Sequence, residues 1–348
     1  MGGAEVFTRE ITTRWAKAGH QVTLFTAAYP NAKSEELVDG VRIVRSGGRF
    51  SVYLKAKQFY SERFRREGFD VIIDEINTRP FFAQKFADNG EKVFALIHQL
   101  AREYWFYEMP FPISYLGYHF FEDRWLRAYV EVPTVTVSQS TKQDLGNLGF
   151  KRVFVVPEGL NFRPLTQISD KMKKPVIVYV GRLKRSKRPD HAIKAFRIVK
   201  KKIPKAELWI LGEGSFRKDL EKLAGEGVEF FVGLNDVERR DLIKKSWLLV
   251  NPSIREGWGL NVTESAALGT PCVAYDVPGL RDSVKNEVTG LLVESGNVNA
   301  LAENIIQVLE NDLLRNTLSE NALKYSREFN WDKTAEQFMK VLEGINTD

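Results

Sequence analysis

The sequence predicts an α/β protein made of two doubly wound, Rossmann-like domains facing a cleft, and three observations carry that expectation. Short apolar runs alternate with helical patterns along nearly the whole chain, as in mostly parallel, helix-covered sheets. The alternation restarts after a polar, lysine-rich stretch, residues 169–174, which with Glu158-Gly159-Leu160-Asn161-Phe162-Arg163-Pro164 reads as an interdomain linker. Within the second set, Arg255-Glu256-Gly257-Trp258-Gly259-Leu260-Asn261-Val262-Thr263-Glu264 reads as a glycine loop between a strand and a helix. Open α/β sheets bind ligands at the carboxyl ends of their strands, which is where Glu256 falls.

The elements follow in order. A helical pattern on Val6, Phe7, Ile11 and Trp15 is closed by Gly19, and strands are expected at 21–26, 41–45, 71–76, 92–98, 134–138 and 153–157. The second set predicts strands at 176–180, 207–211, 228–231, 247–251, 272–275 and 291–293. Helices at 190–201, 216–223 and 237–245, and the one bearing Glu264, separate them. The tail, 301–345, is helical in pattern and interrupted at Phe329-Asn330-Trp331-Asp332, with Asp332 expected to cap a last helix through Leu342. The expected domains are 1–160, with 332–348 packing back on it, and 161–331.

Composition narrows the class. A chain of 348 residues with 43% hydrophobic content has room for two real cores. Its single cysteine, Cys272, lies in an apolar run and suits a reducing compartment as a buried small side chain. No stretch approaches the roughly 18 apolar residues of a membrane span, and the N-terminus lacks a signal-peptide core, so a cytoplasmic protein is expected. The net charge of +6 is shared evenly by the two halves, so no nucleic-acid partner is expected. The densest basic cluster, Arg63, Arg65 and Arg66 near Lys55 and Lys57, lies on an amphipathic pattern. It reads as a solvated helix face, the alternative being peripheral contact with anionic lipid at the inner face of the membrane.

The chemistry sits in two loops. A glycine loop opening a helix offers free N–H groups and a positive dipole end, which favour a phosphate. Two carboxylates there would repel phosphate, and make better sense as hydroxyl acceptors at the two ends of a ligand with an anionic middle. Seven residues separate them, which is roughly 12 Å if helical. A nucleotide-sugar has that form, though favourably placed acids in a first helical turn would give the same spacing. Gly181-Arg182-Leu183-Lys184-Arg185-Ser186-Lys187-Arg188 directly follows the strand at 176–180, and its cations suit phosphate oxygens.

These residues carry a resemblance. Gly181-Arg182 with Lys187, Leu211-Gly212-Glu213-Gly214, Pro252-Ser253, Glu256 with Glu264, Gly269-Thr270-Pro271 and Gly290-Leu291-Leu292-Val293 together resemble the retaining glycosyltransferases of family 4, which have the GT-B fold. Gly2-Gly3-Ala4-Glu5 and Val156-Pro157-Glu158-Gly159 extend the likeness over nearly the whole chain. The resemblance implies a glycosyltransferase that takes a UDP- or GDP-linked sugar and needs no metal or other cofactor. It implies that Glu264 holds the ribose, Glu256 the donor sugar, and Arg182 with Lys187 the diphosphate after Gly181. Backbone N–H groups of Gly257, Trp258, Gly259 and Leu260 would add to the phosphate seat, with Gly2 and Gly3 approaching from the other domain. His98 matches a family position near sugar and acceptor; a hydrogen-bonded structural histidine is the plain alternative.

No Asp-x-Asp triplet occurs, which argues against the metal-dependent class of glycosyltransferases. Acceptors in the family range from lipids to glycans and small molecules. The aromatic stretch 99–129 reads either as an acceptor groove or as packing. The alternatives left open are an epimerase or phosphorylase on the same architecture, or a nucleotide- or carbohydrate-binding protein without turnover. One departure stands out. Family members open with a short strand in the middle of the N-terminal sheet, whereas this chain begins at the Gly-Gly loop. Its neighbours are expected to keep unpaired edges and the domain to lose stability.

Overall fold

The computed structural model describes residues 2–88 and 90–344. The chain divides into two compact units: Met1–Arg102, Leu116–Gly159 and Trp331–Asp348 form the first, and Glu103–Tyr115 with Leu160–Asn330 the second.

In the first unit the helix Gly3–Lys17 buries Phe7, Ile11 and Trp15, a spacing of four that lines one helix face. That face meets the C-terminal helix Trp331–Glu343. The rings of Phe7 and Trp331 lie 5.7 Å apart, and the Trp15 indole donates to the Ala335 carbonyl at 3.1 Å. Asp332 does not cap this helix, because the helix already begins at Trp331. Its carboxylate sits in the first turn and accepts from Arg14 Nε at 2.7 Å. The expected end of the tail, Ile345, lies outside the described residues.

The strands of this unit form two sheets. β1 (Thr23–Thr26), β2 (Glu35–Val38) and β3 (Val41–Arg45) associate in the order β1-β3-β2, with β2 antiparallel to β3. β4 (Val71–Glu75), β5 (Lys92–Leu96), β6 (Thr134–Thr136) and β7 (Val153–Val155) form a parallel sheet in sequence order. Among the described residues β1 pairs only with β3, and β4 only with β5, so each keeps one open edge. Their residues are mostly half-buried. β2 is an addition to the expected strands: the turn residues Asp39 and Gly40 take φ of 51° and 83° and fold Glu35–Val38 back on β3. In the basic helical segment Arg63 pairs with Glu35 and Glu67, and Arg65 with Asp88.

The second unit is one six-stranded parallel sheet of β8 (Val176–Val180), β9 (Glu207–Leu211), β10 (Val228–Phe231), β11 (Leu248–Asn251), β12 (Cys272–Tyr275) and β13 (Gly290–Val293). Their order is β10-β9-β8-β11-β12-β13. Every residue of β8, β11 and β12 is buried, as befits strands covered by helices on both faces. Burial pushes the Cys272 thiol well above its ordinary value, so it behaves as a core side chain. The linker is pinned rather than loose: Lys171 Nζ donates to the Lys244 carbonyl at 3.0 Å and to Thr270 Oγ1 at 2.9 Å.

Candidate active site

The strand order of the second unit reverses between β8 and β11. The chain runs outward from β8 through β9 to β10, then crosses to β11 and runs the other way. Loops leaving the carboxyl ends of two such neighbours diverge and leave room for a ligand. The two loops at this point are 181–188 and 252–259, the two singled out by the sequence. They are bonded to each other, Ile254 N–H donating to the Ser186 carbonyl at 3.2 Å. Asn261 ties the following helix, Leu260–Ala267, to the same point: its Nδ2 donates to the Val180 carbonyl at 2.7 Å and its Oδ1 accepts from Asn251 at 3.2 Å.

Lys187 and Glu256 form the centre of this arrangement. Lys187 Nζ donates to Glu256 Oε2 at 2.6 Å, and Ser253 Oγ donates to Glu256 Oε1 at 2.8 Å. Both charged side chains are only 15% exposed. Burial alone would lower the Lys187 ammonium, but the Glu256 carboxylate outweighs it and holds the lysine above its usual range. Lys187 also lies 5.5 Å from the centre of the Tyr104 ring, and Tyr104 OH donates to the Arg255 carbonyl at 2.8 Å. Tyr104 belongs to the helix Tyr104–Glu108, part of the aromatic stretch, and this helix packs within the second unit. Its Glu108 accepts from Ser186 Oγ at 2.7 Å and Lys184 Nζ at 2.8 Å. Arg182 is exposed on the same loop.

Glu264 stands on the helix, as expected, but its carboxylate is already engaged. Arg239 Nη1 donates to Oε2 at 2.6 Å and Nη2 to Oε1 at 3.3 Å. Between the two carboxylates, the N–H groups of Gly257, Trp258, Gly259 and Leu260 donate no hydrogen bond among the described residues. Gly259 precedes the helix at φ 97°, a left-handed conformation that a side chain would strain. The Trp258 indole turns inward against Phe329, ring centres 5.2 Å apart, so the group this residue can offer an anion is its backbone N–H.

The other predicted residues lie in the first unit. Gly2 caps the helix Gly3–Lys17 in an extended conformation. His98 is buried, with Nε2 3.5 Å from Glu75 Oε1 and Nδ1 3.8 Å from Glu158 Oε1. These are charge pairings, longer than hydrogen bonds. Phe7 closes on the ring at 5.0 Å between centres, and Thr8 Oγ1 fixes Glu75 Oε2 at 2.7 Å. Burial would lower the imidazolium, but Glu158 and Glu75 together raise it to about 9. The two carboxylates thus favour the protonated ring, a form that can donate a proton or stand as a fixed cation.

In the sequence Glu158 reads as linker and Tyr104 as one of the aromatics of an acceptor groove or of packing, while Glu75 and Arg239 are not singled out. Glu75 had one signal, its place at the carboxyl end of the strand paired with the one that leads to His98; Arg239, on a charged helix face, had none.

This fold and these loops define a two-unit α/β protein of the GT-B class. Residues 1–163 match the family described as Glycosyltransferase Family 4, and residues 164–325 match Glycosyl transferases group 1. The chain belongs to the family 4 type of GT-B glycosyltransferases. It is 31% identical over 176 residues to the poly(glycerol-phosphate) alpha-glucosyltransferase of Bacillus subtilis strain 168, covering 47% of this chain and 26% of that protein. Matches to the curated relatives span between 26% and 62% of their length.

Among solved structures it resembles sucrose-phosphate synthase from Thermosynechococcus elongatus, with a TM-score of 0.80 and 23% identity over 99% of this chain and 94% of that one. It also resembles HepE of Anabaena in complex with UDP-glucose, with a TM-score of 0.74 and 16% identity over 99% and 96% of the two chains. Likenesses at this identity speak to the fold alone. Among the described residues no helix is long and apolar enough to cross a membrane.

Proposed function

We propose that this protein is a retaining, metal-independent glycosyltransferase that moves a sugar from a UDP- or GDP-linked donor to a glycan, lipid or small-molecule acceptor. The observation that carries the reading is the Lys187–Glu256–Ser253 group beside four undonated N–H groups, all at the point where the sheet order reverses. An ammonium has three donors, so Lys187 can keep Glu256 and still give a hydrogen bond to a phosphate oxygen.

Each group then has a task. The free N–H groups of 257–260, with Lys187 and the exposed Arg182, receive the diphosphate and stabilise the charge that grows on it as the glycosidic bond breaks. Glu256, fixed by Lys187 and Ser253, accepts hydroxyls of the sugar and need not attack it. The departing phosphate oxygen takes the acceptor's proton, and the new bond forms on the face the phosphate leaves. Glu264 accepts the ribose hydroxyls. The protonated His98 serves as a donor to sugar or acceptor, held in place by Glu75 and Glu158. HepE of Anabaena, which shares this fold, was solved with UDP-glucose, and UDP-glucose is accordingly among the donors to test.

The test is incubation with a panel of UDP- and GDP-sugars, followed by mass spectrometry. Slow release of the nucleoside diphosphate, accelerated by a glycan or lipid acceptor, is expected. Binding without any turnover would favour a carbohydrate- or nucleotide-binding protein, and conversion of one nucleotide-sugar to another an epimerase.

A further inference from the structure

We propose that Arg239 is the positioning residue for recognition of the nucleotide ribose, acting through Glu264. This rests on the reading of Glu264 as the ribose acceptor.

Arg239 comes from the helix Asp236–Lys245, whose first turn is rigidly started. Asn235 Oδ1 accepts from the N–H groups of Val237 and Glu238 at 2.9 Å and 3.0 Å, and Glu238 Oε2 accepts from Asn235 N–H at 2.9 Å. The guanidinium projects from this fixed turn and takes both oxygens of Glu264, with a further contact to Asp236 Oδ1 at 3.4 Å. The Arg239 and Glu264 side chains are 25% and 15% exposed, so the pair is shielded from solvent.

Two consequences follow for a ribose contact. A carboxylate offers about four lone-pair positions. Arg239 occupies one on each oxygen, which leaves a pair of acceptors for the two hydroxyls of a cis diol and locks the rotamer that presents them. The second consequence is electrostatic. A bare carboxylate beside a diphosphate repels it, and the Arg239 charge cancels that repulsion at the point where the ribose joins the phosphates. Lysine, a point charge without a fork, would supply the second effect and not the first.

An ion pair that only joins two helices would change stability without changing which nucleotide is preferred, and that separates the two roles. Calorimetric titration of the full chain with UDP and 2′-deoxy-UDP, and with GDP and 2′-deoxy-GDP, gives a ribo-to-deoxy preference for the tighter-binding base. The wild type is expected to prefer the ribonucleotide by about tenfold, and E264Q to lose that preference. R239Q should fall to the same low ratio, R239K to an intermediate one, and E264Q/R239Q to no lower than either single variant. Should R239Q not fold by circular dichroism, the ratio for R239K decides. A variant at 239 that keeps the wild-type ratio overturns the proposal and leaves Glu264 as a ribose residue. A wild type without ribo preference overturns that reading of Glu264, and the role of Arg239 with it.

Discussion

Lys187 Nζ meets Glu256 Oε2 at 2.6 Å, joining residues 69 apart in sequence that end up on loops of neighbouring parallel strands. Removing one member leaves the other charge 15% exposed and unpaired, which costs about 1–3 kcal/mol for a group hydrogen-bonded this closely. K187M and E256Q should therefore each lower the urea midpoint of the second unit, and K187M/E256Q should restore part of the loss. Singles as stable as the wild type would show that the pair is open to water.

Gly279 makes a sharper case. A Cβ built there would lie 2.2 Å from the Glu256 carbonyl oxygen, and φ is 81°. G279A must displace the backbone carrying Glu256, beyond the roughly 1–2 kcal/mol cost of a left-handed alanine. Turnover should fall by more than about tenfold, because misplacement near 1 Å is expensive at an active site. The check is kcat/KM beside a melting curve, and an alanine variant with wild-type kinetics would mean that Glu256 is not held from behind.

How much of this could be read in advance depends on what fixed each element. The strands of the second unit were legible to within a residue because β8, β11 and β12 are apolar throughout and buried on both faces. β2 escaped because Glu35-Glu36-Leu37-Val38 is largely exposed and has no apolar face, and its one signal was the Asp39-Gly40 turn. Glu256 and Glu264 were visible as a spaced pair on one segment. Lys187 was visible too, in the basic loop after the strand at 176–180, but as a phosphate contact; its pairing with Glu256, like that of Arg239 with Glu264, comes from strand pairing and helix packing, which no local pattern encodes. Glu158 looked like linker because Glu-Gly beside proline reads as a turn, and only the fold reveals it as a buried carboxylate near His98.

His98 gives a pH dependence with a definite sign. Its folded value is raised from 6.5 to about 9, so the folded chain holds a proton that the unfolded chain gives up near 6.5. The stability this contributes is complete below 6.5 and is lost as pH rises through about 9. Denaturant unfolding followed between pH 6 and 9.5 should show the first unit weakening across that window, and H98Q should remove that part of the slope. A flat wild-type profile would mean that Glu75 and Glu158 do not hold a charged ring.

Because Lys187 and Arg182 are proposed to supply the positive charge on the leaving group, divalent ions should be dispensable. Turnover after dialysis against a chelator is expected to stay within about twofold of the untreated enzyme, and added magnesium or manganese should not raise it further. Loss of turnover on chelation, restored by one of these ions, would transfer the leaving-group role to a metal.

The loops after β8 and β11 are the proposed seat of the nucleoside-diphosphate sugar. Equilibrium titration of the wild type, K187A and E264A with UDP-glucose and GDP-mannose measures this directly, with circular dichroism to confirm that each variant is folded. The wild type should saturate with at least one donor, and each variant should bind it more than about tenfold more weakly, in line with loss of a charge-assisted hydrogen bond. Equal donor affinity in the wild type and both folded variants would contradict the assignment of the site.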